Sequence, residues 1–405
     1  MTAATPATAP ALRRIVIGPL PPPAHGYAVA MQGLVRLLRA AGAEPEALDL
    51  AVRRRGFGYV ALRLWRAAAA AARLAREGRV TGRRARVHIG VDGGAGIVLV
   101  MLVVLAARAA GCSLRLHHHS QARMHRRSLP LWLLARLAGR DALHVALRQP
   151  MAVALQARHG PRLQVQVLSN AAFVRPPAPS LLWRRGERER PLTVGMLGNL
   201  CAEKGLDAFL ALADACRGPD AAQAPDARFL LAGPVVRARD LGAVWRRAAQ
   251  GVIHWLGPVN ERNRSSLFYL KVDLLVFPSR HVHEAEPFVL LEAMAHGCAI
   301  VTADVGYVRD LVGDAALVIR PGDDFVRGAM AAIGRARREP GWLRDMQAKA
   351  RARFMAERAA ALAAARAVLE LEATTPLGAV ACRRGDRTAR QASRTERLAA
   401  EGARP

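Results

Sequence analysis

The feature that most constrains this chain is an alternation of short apolar runs with helical stretches, which runs through the sequence twice with an interruption between. In the first pass the apolar runs are 14–18, 47–50, 86–91, 113–117, 142–146 and 164–168. Helix-like stretches separate them near 27–41, 60–76, 95–110, 129–138 and 150–158. Residues 175–191 then break the pattern with four prolines in a charged setting and read as a linker. The alternation restarts with strands expected at 192–197, 228–232, 252–256, 273–277, 299–302 and 316–319. The helices between them fall near 204–216, 239–249, 260–270, 288–296, 306–312 and 324–338. Strands alternating with helices at this spacing build a parallel sheet covered on both faces. The expected fold is therefore α/β, two Rossmann-like doubly wound lobes at 1–178 and 190–350 facing a central cleft. A C-terminal helix over 351–373 and a basic tail over 374–405, expected to be disordered, complete the chain. In such sheets ligands bind beyond the carboxyl ends of the strands, so the loops there are where chemistry is to be sought.

Composition narrows the partners. The net charge is +28, and lysine occurs only at Lys204, Lys271 and Lys349, so the basic charge is almost all arginine. With abundant alanine this fits the drift of a GC-rich genome; it also suits attraction to an anionic membrane surface. Nucleic acid is disfavoured, because aromatics are only 5% and do not interleave with the basic residues. The five cysteines form no CxxC pair, which argues against a disulfide framework or a zinc cluster. No signal peptide is apparent at the N-terminus, and the most apolar run, 97–107, is shorter than the ~20 residues a membrane span needs. The expected location is the cytoplasm, with peripheral attachment at the inner membrane face in view.

Four loops carry candidate chemistry. The first strand runs into Pro19–Gly26, where prolines stiffen the turn and Gly26 lets backbone approach a ligand closely. The second lobe opens with a glycine turn, Gly198-Asn199, followed by Lys204, a scarce residue type placed near a helix start where it could neutralise an anion. The segment 278–297 follows an apolar strand, and a helix is expected from about Pro287 to Gly297. The amides of Phe288 and Val289 would face an anion at that helix start. Glu284 and Glu286 lie in the loop before it. Glu292 lies about 8 Å further along the axis at 1.5 Å per residue, in an apolar setting where a carboxylate needs a partner. The fourth loop holds His117-His118-His119. Neighbours on a strand alternate faces, so the three cannot grip one ion; His119 first and His118 next are candidates to hydrogen-bond a substrate.

Glu284 and Glu292 have the E-x7-E spacing of the retaining GT-B glycosyltransferases often called family 4. The surrounding text, 272–279, 292–301 and 306–310, resembles that family closely, and 195–205 resembles its diphosphate loop. Pro19–Gly26 looks like the N-terminal loop of its polysaccharide-assembly members. The resemblance covers 190–325 well, the first lobe more weakly and the tail not at all. It implies a GT-B fold, and transfer with retention from a UDP- or GDP-linked nucleotide-sugar to a saccharide or lipid-linked saccharide acceptor, in cell-surface glycan biosynthesis. No further cofactor and no metal are implied. Glu292 would hold the ribose. Lys204 and Asn199, with the Phe288 and Val289 amides, would hold the diphosphate. Glu284 would orient the sugar, and His118, His119 and Gly26 would line the acceptor side. Asn199 stands where the family often has arginine, and Glu286 offers a second register for the first motif glutamate, with Glu284 favoured. Two alternatives remain open: a sugar-nucleotide epimerase of the same fold, and a basic membrane- or RNA-binding scaffold with a vestigial cleft.

Overall fold

A computed structural model describes residues 12–52, 58–81, 85–91, 93–183, 191–217, 227–259 and 264–371. The expected tail, the N-terminal eleven residues and part of the expected linker lie outside the described residues.

The first lobe runs β1 (Arg13–Gly18), α1 (Gly26–Ala40), β2 (Glu46–Asp49), α2 (Gly58–Thr81), β3 (Ala85–Val91), α3 (Ile97–Ala109), β4 (Ser113–His118), α4 (Leu129–Ala138), β5 (Leu143–Ala146), α5 (Gln149–His159) and β6 (Gln164–Val167). A 3-10 turn, Asn170–Phe173, and a short helix, α6 (Pro179–Trp183), lead out of it, so the proline-rich stretch is not wholly irregular. The second lobe runs β7 (Thr193–Leu197), α7 (Leu206–Ala215), β8 (Arg228–Ala232), α8 (Ala238–Ala249), β9 (His254–Trp255), α9 (Arg264–Lys271), β10 (Leu274–Phe277), α10 (Phe288–Ala295), β11 (Ala299–Ala303), α11 (Val308–Val312), β12 (Leu317–Ile319) and α12 (Phe325–Arg338). One long helix, α13 (Pro340–Leu369), follows.

Both sheets are parallel and six-stranded, ordered β2-β1-β3-β4-β5-β6 and β12-β11-β10-β7-β8-β9. In each, the chain winds outward in both directions from one pair of strands. That switch lies between β1 and β3 in the first lobe, and between β7 and β10 in the second. Diverging crossovers leave a crevice beyond the carboxyl ends of those strands.

The lobes are not independent bodies. One apolar core runs from Met31 and Leu34 of α1, through Leu290 and Leu291 of α10, to Phe354 and Ala361 of α13. The helix expected from 351 begins at Pro340, a residue suited to the first helical turn. It packs on α10 and β11 of the second lobe and then on β6 and the 3-10 turn of the first. Its end explains three arginines placed at the starts of strands. Arg14 and Arg86 donate to the carbonyl of Leu369 at 3.4 and 3.5 Å, and Arg86 and Arg115 pair with the carboxylate of Glu370. Cations are favoured at a helix C-terminus, where carbonyls lack partners.

Candidate functional site

The second-lobe switch point supplies the charged half of the site. The loop leaving β7 carries Gly198, Asn199 and Lys204, and the loop leaving β10 carries Ser279 and Glu284. Because β7 and β10 are adjacent strands, the two loops meet. Lys204 Nζ pairs with Glu284 Oε1, and Ser279 Oγ donates to the same oxygen at 3.0 Å. Glu284 is buried, whereas Lys204 keeps about a third of its side chain exposed (32%). Gly205 makes this approach feasible: at φ +77 it lies so close to β10 that a Cβ would fall 2.1 Å from the Pro278 carbonyl oxygen. Asn199 is exposed.

Helix α10 begins one residue later than expected, with Pro287 as its cap residue, and Gly297 closes it at φ +63. No side chain caps its N-terminus and no acidic residue occupies its first turn. The amides of Phe288 and Val289 precede the first helical hydrogen bonds, so this end carries positive potential. Glu292, one turn inside, is half-buried, and its Oε2 accepts a 2.9 Å hydrogen bond from the Tyr269 hydroxyl. Burial, reinforced by Glu292, pushes the Tyr269 phenol well up, so it stays a donor.

Glu286 goes elsewhere. Its side chain accepts from Ser169 Oγ at 2.7 Å and from the Asn170 amide at 2.5 Å, and it meets Arg148 at 3.3 Å. All three partners belong to the first lobe. Arg148 also pairs with Asp310 at 2.6 Å and Glu357 at 2.8 Å, and so ties β5, α11 and α13 together. Burial pushes Glu286 up to about 7 against the pull of Arg148. This carboxylate is a joint between the lobes, whereas Glu284 lies beside Lys204 in the second lobe.

The first lobe supplies neutral rings. His117 and His119 project to one side of β4 and His118 to the other, as strand alternation requires. His117 Nε2 lies 3.0 Å from His88 Nδ1, and His118 Nε2 lies 2.9 Å from His144 Nδ1; both are buried pairs. His118 is thus engaged away from His119. Both nitrogens of His119 are shielded and meet no protein partner. Burial, with His25 adding to it, pushes His119 down to about 3, so its ring is neutral. Tyr27 stacks on it with ring centroids 4.9 Å apart, and the Tyr27 hydroxyl overlies Gly90 at the end of β3. Helix α1 starts beside this wall. His25 Nδ1 caps it by accepting from the Ala28 amide at 3.3 Å, and a Cβ on Gly26 would lie 4.0 Å from the Phe288 ring. The starts of α1 and α10 therefore confront each other across the crevice.

Sequence reasoning missed the residues that hold the halves in register. Gln121, two places after His119, donates to the carbonyls of Val282 and Glu284 at 2.7 and 3.2 Å. The Tyr307 hydroxyl lies 2.8 Å from His125 Nε2 across the same junction. A usable signal was rarity: the chain has four tyrosines, and Tyr27, Tyr269 and Tyr307 all serve the site or its frame. Among the described residues no group of His, Cys, Asp and Glu could hold a metal ion, and no helix is long and apolar enough to cross a membrane.

Comparisons with known proteins agree with this geometry. Residues 191–337 match the family model described as glycosyl transferases group 1. No curated protein matches the sequence. Among solved structures, sucrose-phosphate synthase from Thermosynechococcus elongatus superposes with a TM-score of 0.64 at 16% identity, over 89% of this chain and 99% of that one. HepE from Anabaena, solved with UDP, gives 0.60 at 16% identity over 88% and 98%. An α,α-trehalose-phosphate synthase (UDP-forming) from Burkholderia vietnamiensis gives 0.59 at 14% over 88% and 100%. The whole chain has the two-lobed GT-B architecture of glycosyltransferases. The matched segment is the second lobe, where the Lys204–Glu284 pair sits.

Proposed function

We propose that the protein transfers a sugar from a UDP- or GDP-linked donor to a saccharide or lipid-linked saccharide acceptor, with retention of configuration, in the assembly of a surface glycan. The observation that carries this reading is the Lys204–Glu284 pair at the second-lobe switch point, beside the uncapped start of α10 and inside the matched segment. A diphosphate seated on the Phe288 and Val289 amides would draw Lys204 to itself. Glu284 would then be released to accept hydrogen bonds from the donor sugar. Glu292, steadied by Tyr269, has two oxygens suited to a ribose diol, and Asn199 would donate to a phosphate.

Across the crevice, His119 is neutral and its ring nitrogens have no protein partner, so a sugar hydroxyl that displaced Tyr27 would find a hydrogen-bonding group that attracts no second anion. Such a wall opposite the donor loops suits an acceptor, which an epimerase would not need. Charge developing on the leaving diphosphate would be met by loop amides and Lys204, so the reading requires no metal. HepE has been solved with UDP-glucose as well as UDP, which supports this donor class. Retention rests on the family resemblance. The chain would act in the cytoplasm, at the inner membrane face when its acceptor is lipid-linked.

The test is a thermal-shift screen of UDP, GDP, ADP and their sugar conjugates on wild type and Glu292→Ala. A ligand at 100 times its Kd adds about 2.7 kcal/mol of stability. One nucleotide should raise the melting temperature of wild type and do so far less in the variant. Folded protein that responds to none of them would overturn the reading.

A further inference from the structure

Helix α3 buries Ile97, Val100, Val103, Val104 and Ala107 against the first-lobe sheet, as any covering helix does. Its other side breaks the usual pattern. Val98, Leu102 and Leu105 form a stripe facing solvent, exposed by 63%, 42% and 47%, where a surface helix should be polar. The helices packed on either side of α3 repeat the feature. Helix α2 exposes Val60, Leu64 and Trp65, and α4 exposes Leu129, Trp132 and Leu133. Single exposed apolar residues are ordinary, but an apolar face spread over three neighbouring helices marks an interaction surface.

Charge identifies what covers it. Within 58–140, Arg86 and Arg115 are buried on Glu370, but Arg76, Arg108, Arg126, Arg127, Arg136 and Arg140 are exposed, and the span holds only two acidic residues, Glu77 and Asp92. Arg126 and Arg127 are exposed on the loop entering α4, and Arg136 lies over the Trp132 ring at 5.1 Å. Tryptophan beside arginine, around a patch of leucine and valine, matches the layers of a bilayer surface. Indole rings settle among the headgroups, guanidinium groups reach the phosphates, and aliphatic chains enter the acyl boundary. A second copy of the chain fits less well, because a two-fold interface would set this arginine-rich surface against itself.

We propose that the outer face of α2, α3 and α4 docks on an anionic lipid bilayer. It lies on the surface without crossing it, since α3 has only 13 residues. Each of these helices begins on the side of the sheet where the strands end, so Val98 and Leu129 stand towards the rim of the crevice. A headgroup-borne acceptor would then arrive beside His119. That last step rests on the function proposed above, whereas the docking does not.

The test is co-sedimentation of the full chain with phosphatidylcholine vesicles and with vesicles also containing phosphatidylglycerol, at fixed salt. Wild type should partition at least about tenfold more onto the anionic vesicles. Trp132→Gln with Leu133→Gln should cut that partition by about tenfold or more, the consequence of losing two apolar anchors. Trp245→Gln, at a tryptophan more exposed than Trp132 but on the second lobe, should leave it unchanged. Equal binding by wild type and the Trp132/Leu133 variant, or no vesicle binding at all, would overturn the proposal. So would a dimer in analytical ultracentrifugation that the same variant dissolves. The nucleotide thermal shift, measured on the same proteins, separates the two readings. Docking that persists while every nucleotide fails sinks the donor assignment alone. A nucleotide shift that persists while docking fails sinks this one.

Discussion

The two lobes are built on the same plan and place their crevices at equivalent switch points, yet they line them differently. The second lobe sets a lysine, a buried glutamate and an uncapped helix start at its switch. The first lobe sets a neutral histidine, a tyrosine stacked upon it and a helix start already capped by His25. Topology decides where a doubly wound sheet can bind; the side chains at that place decide what charge it will accept. One edge carries a cation and free helix amides, and the other carries only neutral rings.

The comparison is broken most severely by removing the charge. Glu284→Ala should lower kcat/KM for sugar transfer by about 10²–10³-fold, the range seen when a group acting at the reacting centre is lost. An effect within about threefold, measured on folded protein with saturating nucleotide, would mean that the reacting sugar lies elsewhere. Next comes the joint between the halves. Gly306 has φ +57, and a Cβ there would fall 2.0 Å from the Glu284 carbonyl oxygen and 2.6 Å from Gln121 Nε2. Gly306→Ala should therefore cost about 2–4 kcal/mol in chemical denaturation. A cost near zero would show that the Glu284 loop can reseat itself.

Glu286 offers a smaller and more specific probe, because it lies two residues from Glu284 and does a different job. Its folded-state value, about 7, is above that of an unfolded glutamate. The folded protein thus holds a proton that the unfolded chain releases, and stability falls as pH rises from about 4.3 towards 7. Glu286→Gln, which mimics the protonated form, should flatten that limb of the stability curve by up to a few kcal/mol. Arg148 keeps Asp310 and Glu357 in the variant, so the protein should still fold. Parallel pH profiles for the two proteins would show that the carboxylate is ionised throughout.

Much of this arrangement is legible in the sequence, for identifiable reasons. Buried parallel strands need unbroken apolar runs, so β1, β3, β8 and β10 are read almost to the residue. Helix punctuation is equally local: Pro287 and Gly297 bracket α10. Scarcity singles out Lys204, and spacing singles out Glu284 and Glu292. What cannot be read is any property that depends on two distant segments meeting. Nothing local shows where the Glu286 carboxylate goes, because Ser169 and Arg148, which hold it, come from the other lobe. Gln121 looks like an ordinary loop residue until its amide is found on two carbonyls far along the chain. The helix expected from 351 starts instead at Pro340, since proline is well accommodated in the first turn of a helix.

The finest contrast lies at the end of one strand, between His118 and its neighbour His119. They differ in the face of β4 they occupy, and from that in everything else. His118 is locked to His144 inside the first-lobe core, while His119 has both nitrogens free of protein partners beneath Tyr27. His119→Asn should cost about 0.5–1.5 kcal/mol of stability, the worth of the lost Tyr27 stacking, because no protein hydrogen bond is lost. It should lower kcat/KM by about tenfold, the worth of one well-placed hydrogen bond to a neutral hydroxyl. His118→Asn should do the reverse, costing about 1–3 kcal/mol by leaving His144 without its partner while each folded molecule turns over at the wild-type rate. If His118→Asn instead slowed transfer and His119→Asn did not, the acceptor would lie on the far face of β4. The neutral wall opposite Glu284 would then be part of the core and have no role at the site.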